Sequence, residues 1–263
     1  GRKRITQETF DDAVKENMDD FGLSAEDAVR DAIKEFEMQG IDLSNIVTTS
    51  MLSGEHETIR ISKRLAQSVK EDFDCGTNIK FLLEEIPKEK EGKIMAVNNG
   101  VVESCIALLN AEDVDQTVLM DGLRLLHLLI LNHPLGRNKF NATIGGNIEG
   151  IDALIKVLRA HESDPTVLAA TFYVAKAATA QSEPAKAAFM ARGGLPAMIS
   201  ALDTHLVDSS VLRPLCATIH SLANADDTTA HLSKVFDTSK ELAAAGIPER
   251  LYRGLQAHPD SAE

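Results

Sequence analysis

Tryptophan is absent from this 263-residue chain, and aromatic residues make up only 4% of it. An interior built without them must be filled by Leu, Ile, Val, Ala and Met, side chains that pack helix against helix. Long apolar runs are missing too. The best stretch, residues 123–131, is interrupted by Arg124 and His127 and falls short of the roughly 18 residues that span a bilayer. The basic start, Gly1 to Arg4, leads into no apolar segment, which argues against a secretory signal. Only Cys75, Cys105 and Cys216 are present, odd in number and far apart. That pattern points to reduced thiols in the cytosol or nucleus and not to a disulfide framework. Basic charge is scarce: 27 Lys and Arg face 40 Asp and Glu, a formal net charge of −13. Such a chain repels polyphosphate and anionic lipid, so neither nucleic acid nor a bare membrane is expected as a partner. What is plentiful is aliphatic material, with 44% hydrophobic against 25% charged residues, enough for a folded chain with a sizeable core.

The apolar residues recur in blocks. Four segments, starting at Lys93, Lys139, Ala187 and Glu241, each carry a short helical stretch, a glycine and a second apolar helix. Their anchor glycines are Gly100, Gly150, Gly194 and Gly246, spaced by 50, 44 and 52 residues. A glycine is suited to the sharp turn between the two helices, and Pro196 and Pro248 follow where a first-turn proline loses no hydrogen bond. A longer third helix is expected at residues 121–133, 165–181 and 210–225, each apolar over more than half its circumference. The spacing resembles that of armadillo and HEAT repeats, about 40–47 residues. The fold class is therefore all-α, a right-handed α-solenoid of stacked armadillo-type repeats. Its expected parts are an acidic helical segment at 1–50, a linker and degenerate capping repeat at 51–92, repeats at 93–138, 139–186 and 187–238, and a partial repeat at 239–263. The last unit has two helices and no third, which predicts a chain-end contact there with further chain or a partner.

Residues 1–91 hold 13 Lys and Arg against 21 Asp and Glu. Phe10, Val14, Met18 and Phe21 recur at helical spacing from about Thr6; Ser24 with Asp27 caps a second helix carrying Ala28, Val29, Ile33 and Phe36, and Gly40 ends it. Flexibility is expected around residues 47–57, and helices near 58–73 and 77–86 would form the capping repeat. The opening segment, residues 3–49, is similar to the N-terminal region of the armadillo repeat-containing protein 6 family. The matching residues are Gln7 to Phe10, Ala13-Val14, Glu16-Asn17, Ala28-Val29, Phe36, Gln39-Gly40 and Asp42 to Val47. The resemblance implies a longer intracellular protein of tandem armadillo repeats without known catalytic activity, and it supplies no binding residues.

Chemical sites find little footing. Gly145 to Gly150 is glycine-rich, but no Lys-Ser or Lys-Thr follows and no strand is expected before it, so it reads as a repeat turn and not a phosphate loop. Asp113, Asp115 and Asp121 lack the glycine that a calcium loop needs, Val118 standing in its place. His127 and His133 are six residues apart and do not share a helix face as zinc ligands would. Cys105 and Cys216 read as small core residues, and Asp72 and Asp74 beside Cys75 disfavour a thiolate. No cofactor and no metal are expected.

In armadillo proteins the third helices line the concave groove. Aligning them places Asp121, Ala169 and Arg213 in one column, then Leu125, Tyr173 and Ala217, then Leu128, Lys176 and His220, and last Asn132, Ala180 and Asn224. The Trp and Asn ladder of nuclear-import adaptors is missing from these columns. The expected groove residues are Asp121, Leu125, Asn132, Tyr173, Lys176, Arg213, His220 and Asn224. The function so read is a non-catalytic protein-protein interaction scaffold binding another protein or peptide. A transport adaptor for cargo is the alternative, and an enzyme with an unrecognised site comes last.

Overall fold

The computed structural model describes residues 3–48, 56–71, 75–224 and 232–258. Most of the expected flexible linker, and parts of the helices expected to reach Phe73 and Ala225, lie outside them. The chain opens with two helices, α1 (Gln7–Phe21) and α2 (Ala25–Met38), whose first turns are capped by the hydroxyls of Thr6 and Ser24 accepting from the Thr9 and Asp27 N–H groups. Phe10 and Val14 pack on Ala28, Val29, Ala32 and Phe36, closed off by Ile41 and Ile46. Phe21 does not join them; it lies in the last turn of α1, before α2 begins to bury side chains, and is 71% exposed. The segment after α2 is tied back by polar staples. The Gln7 side-chain amide donates to the Val47 carbonyl and accepts from the Val47 N–H at 2.9 and 2.7 Å, and Asn45 donates to the Ile5 carbonyl at 2.8 Å. Asp42 accepts from the Ser44 N–H and from Arg4, and these bonds, led by those of Ser44, hold its carboxyl down at about 2.

From residue 57 the helices stack. α3 (Glu57–Glu71) and α4 (Cys75–Glu85) lead, through a single 3-10 turn (Ile86–Lys88), into three three-helix units. These are α5 (Gly92–Asn98), α6 (Val101–Asn110) and α7 (Gln116–Ile130); α8 (Pro134–Phe140), α9 (Glu149–Ala160) and α10 (Pro165–Thr179); and α11 (Glu183–Ala191), α12 (Gly194–Thr204) and α13 (Ser209–Ala223). A pair, α14 (Leu232–Ala244) and α15 (Ile247–Ala257), closes the described chain. Second helices follow one another in the order α3, α6, α9, α12, α15, and third helices in the order α4, α7, α10, α13. Such units cannot bury their apolar faces alone, so the interior is one strip running from Ile61 to Ile247. The structure is an all-α armadillo-type solenoid.

The third helices α7, α10 and α13 each start on an aspartate. Asp115, Asp164 and Asp208 accept, each at 2.9 Å, from the N–H two residues on, of Thr117, Thr166 and Ser210. A carboxylate there satisfies donors that have no intrahelical partner and faces the positive end of the helix dipole. These caps correct two expected boundaries: α7 begins at Gln116 and not at 121, and residue 133 belongs to the next helix, as the cap of α8. The third helices are also tied to the first helices of their own units, at the end where helix carbonyls lack partners. Lys93 donates to the Leu131 carbonyl at 3.3 Å, Asn141 to Ala178 at 2.8 Å and the buried Lys186 to Asn224 at 2.7 Å.

The glycine anchors are of two kinds. Gly100, Gly193 and Gly246 have φ of 79°, 108° and 73°, left-handed turns that a side chain would strain. Gly193, not Gly194, is therefore the counterpart of Gly100. In the second unit the turn is replaced by a hairpin, Thr143–Ile144 paired antiparallel with Asn147–Ile148, with both turn residues, Gly145 and Gly146, at positive φ. A strand thus does precede this glycine pair, against the expectation. Gly150 and Gly194 serve close packing: a Cβ on either would lie 2.6 Å from a carbonyl oxygen, of Phe140 or Phe189, and against the phenylalanine ring as well. Gly194→Ala is expected to destabilise the chain by roughly 1–3 kcal/mol through overpacking, read as a lower urea midpoint. An unchanged midpoint would show that Phe189 moves aside freely.

The open face of the third helices

With the aspartate caps superposed, Asp115 matches Asp164 and Asp208, and every level of the ladder is fixed. Met120, Ala169 and Arg213 share one level; Arg124, Tyr173 and Ala217 the next; His127, Lys176 and His220 the third. These levels face outward, whereas Leu125, Val174 and Thr218 between them are fully buried. The expected columns were one residue out of step in α7. Leu125 is 0% exposed and is core. Asp121 is 6% exposed, its Oδ1 accepting from Arg124 Nη1 at 2.9 Å, so its charge is matched within the helix. Arg124 and His127 take their places on the face. Tyr173, 38% exposed, Lys176, Arg213 and His220 lie on it as expected. Asn132 and Asn224 sit at the ends of α7 and α13. Asn132 is a left-handed turn residue at φ 53°, matched by Gln181 at φ 55° one unit on, and not by Ala180. The signal for the register was in the sequence: Asp115-Gln-Thr-Val-Leu119, Asp164-Pro-Thr-Val-Leu168 and Asp208-Ser-Ser-Val-Leu212 repeat one pattern.

The centre of the face is where α7 meets α10. The His127 and Tyr173 rings are 5.5 Å apart at a tilt of 48°. Partial burial pushes the His127 pKa below its ordinary value, and the charges of Lys176 and then Lys93 push it further. His133 is lowered the same way, by burial and then by Lys93, with a bond to the Leu129 carbonyl opposing. Burial also lowers Lys93. The ammonium groups of Lys176 and Lys93 thus both act on His127.

Of the cysteines, Cys105 is buried and desolvation raises its thiol to about 12, so it is inert. Cys216, expected in the core, is exposed: it holds the position at which Leu123 and Phe172 face the next third helix, and α13 has no successor among the described residues. Among the described residues no three His, Cys, Asp or Glu gather as they would around a metal ion.

Comparison with known proteins bears on the other end of the chain. Residues 2–72 match the family model described as the Armadillo repeat-containing protein 6 N-terminal domain. The chain is similar to armadillo repeat-containing protein 6. It is 26% identical to the protein of that name from Homo sapiens over 237 residues, 86% of this chain and 45% of the human one. The Pongo abelii protein is 25% identical over the same lengths, and the Drosophila melanogaster homolog 31% identical over 143 residues, half of this chain and 31% of the fly one. This chain spans about half the length of the mammalian relatives it matches. No solved structure matches it. Four of the residues that carry the resemblance, Gln7, Asp42, Asn45 and Val47, staple the segment after α2 back to the start of the chain.

The histidine at the head of α8 makes a pH-sensitive joint. Its unprotonated Nδ1 caps the helix by accepting from the Gly136 N–H at 3.2 Å. Because its native pKa lies below the ordinary 6.5, the unfolded chain takes up the proton first, and stability falls as pH drops from about 6.5 through the native value. His133→Ser, which keeps a cap like Ser182 of α11, should shrink the loss of melting temperature between pH 7.5 and 5.5. An undiminished loss would assign the sensitivity elsewhere.

Proposed function

We propose that this chain is a non-catalytic scaffold that holds a partner protein along the outward face of α7, α10 and α13. The observation that carries the reading is Tyr173, an exposed aromatic at the middle of a regular ladder in a chain nearly devoid of aromatics. An aromatic at such a position offers large contact area with a hydrogen-bonding tip. The relationship to an armadillo repeat family supports it, since stacked repeats offer extended surfaces. The import-adaptor alternative gains nothing from the corrected register, in which the Trp level reads Arg124, Tyr173, Ala217 and the Asn level Leu128, Ala177, Ser221. A second contact belongs to the same reading, at the end where Phe236, Tyr252 and Leu255 of α14 and α15 are exposed. A place in the cytosol or nucleus fits the three free cysteines, and no described helix is long and apolar enough to cross a membrane.

A photo-crosslinking residue at position 173 should trap a partner in lysate, whereas the same residue at Lys156, exposed on α9, should not. Tyr173→Ala combined with Arg213→Ala should cut capture by about tenfold or more in a protein that melts normally. Equal trapping at both positions, or undiminished capture, would refute this face as the binding surface.

A further inference from the structure

The charge of the third-helix face is opposite to that of the chain. In a protein with 40 carboxylate residues, α10 and α13 carry none, and α7 carries only Asp121, buried against Arg124. Lys176 and Arg213, with His127 and His220, are left facing outward, joined by Arg124, whose guanidinium is exposed but shared with Asp121, and Lys93 stands close enough to act on His127. Asp115, Asp164 and Asp208 are engaged as caps at the heads of these helices, and Glu103, Glu149, Asp152, Asp203 and Glu249 lie on the second helices. The strip also has an end, because α4, which packs on α7, brings Glu84 and Glu85. Surface charges act over about 8 Å at physiological ionic strength, so a ligand on this strip meets its local cations more than the net −13 of the whole chain.

We infer that the strip receives an extended, Asp- and Glu-rich segment of another protein, laid across α7, α10 and α13 with its carboxylates toward Arg124, Lys176 and Arg213. This rests on the scaffold reading and names the chemistry of its partner. Arginine binds a carboxylate through two parallel N–H bonds, and lysine binds as a point charge. Packed helices lie about 8–10 Å apart, and the three cations stand on different levels of the ladder at a rise of about 1.5 Å per residue, so successive cations are roughly 10–14 Å apart. They match one carboxylate about every third to fourth residue of an extended chain, which advances about 3.3 Å per residue. Between the cations, the Tyr173 ring and the half-buried Leu128 offer apolar footing to a side chain of the same segment. The spacing selects against a uniformly acidic tract, which would desolvate more carboxylates than the strip can pair.

The test is fluorescence anisotropy with the whole chain and four labelled probes. They are a twelve-residue peptide with Glu at every third position and Leu between, a peptide of the same composition with its Glu residues clustered, the Lys analogue of the first, and a single-stranded oligonucleotide. The spaced acidic peptide should bind best, weaken as salt is raised from about 50 to 300 mM, and lose about tenfold or more with Lys176→Glu plus Arg213→Glu. Arg213→Glu alone, at an exposed position, should lose part of that and keeps the test valid if the double variant fails to fold. Lys156→Glu on α9 should change nothing. No binding, binding indifferent to Arg213→Glu, or preference for the clustered peptide, the Lys peptide or the oligonucleotide would each overturn the inference. Crosslinking at position 173 in the face of such a result would leave the scaffold reading standing without it.

Discussion

The structure depends on third helices packing directly on one another. α10 and α13 meet through small side chains and buried hydroxyls: Thr218 Oγ1 donates to the Phe172 carbonyl at 2.9 Å, and the Thr179 and Ser221 hydroxyls lie 3.1 Å apart. Phe172, Ala175, Ala178 and Leu222 fill the space around them. Each fully buried aliphatic side chain in this strip contributes about 1.5–3 kcal/mol, before the cost of ordering the chain that carries it. Once this packing sets the order and level of the helices, the position of every outward residue follows. Residues of one level, such as His127, Lys176 and His220, therefore stand side by side along the face.

The aspartate caps are what keep the levels aligned. Asp115, Asp164 and Asp208 each pin the first turn of a third helix, and Lys93, Asn141 and Lys186 pin the last. The loops between units are free to vary, and they do: a hairpin with Gly145 and Gly146 at its turn takes the place of a single left-handed glycine in the second unit. The insertion changes the spacing along the sequence from 44 to 49 residues without moving the third helix out of line.

That variation explains what could and could not be read from the residues alone. Solenoid architecture, helix type and the N-terminal pair were legible, because apolar periodicity and the Ser24 cap are local signals that no tertiary contact overrides. The face was legible only in α10 and α13, where Tyr173, Lys176, Arg213 and His220 were placed by helix starts at Pro165 and Ser210, close to the observed ones. In α7, whose observed cap is Asp115, the helix is expected to start only at Asp121. Its burial beside Arg124 is a tertiary fact, and the resulting slip exchanged Arg124 for Leu125. The recurring Asp-x-Ser/Thr-Val-Leu pattern would have removed it. Cys216 was misplaced for another reason, since helical periodicity shows which side is apolar but not whether a neighbour covers it.

The molecule contains two separate apolar interiors. Phe10, Val14 and Phe36 belong to one and the long strip from Ile61 to Ile247 to the other. Contacts across the divide include hydrogen bonds: the Thr48 N–H and hydroxyl donate to the Glu91 carboxylate at 3.1 and 2.6 Å, and Asn98 donates to the Asn45 carbonyl at 3.1 Å. The amino-terminal pair thus closes a core of its own, and the apolar strip behind it is completed without Phe10, Val14 or Phe36.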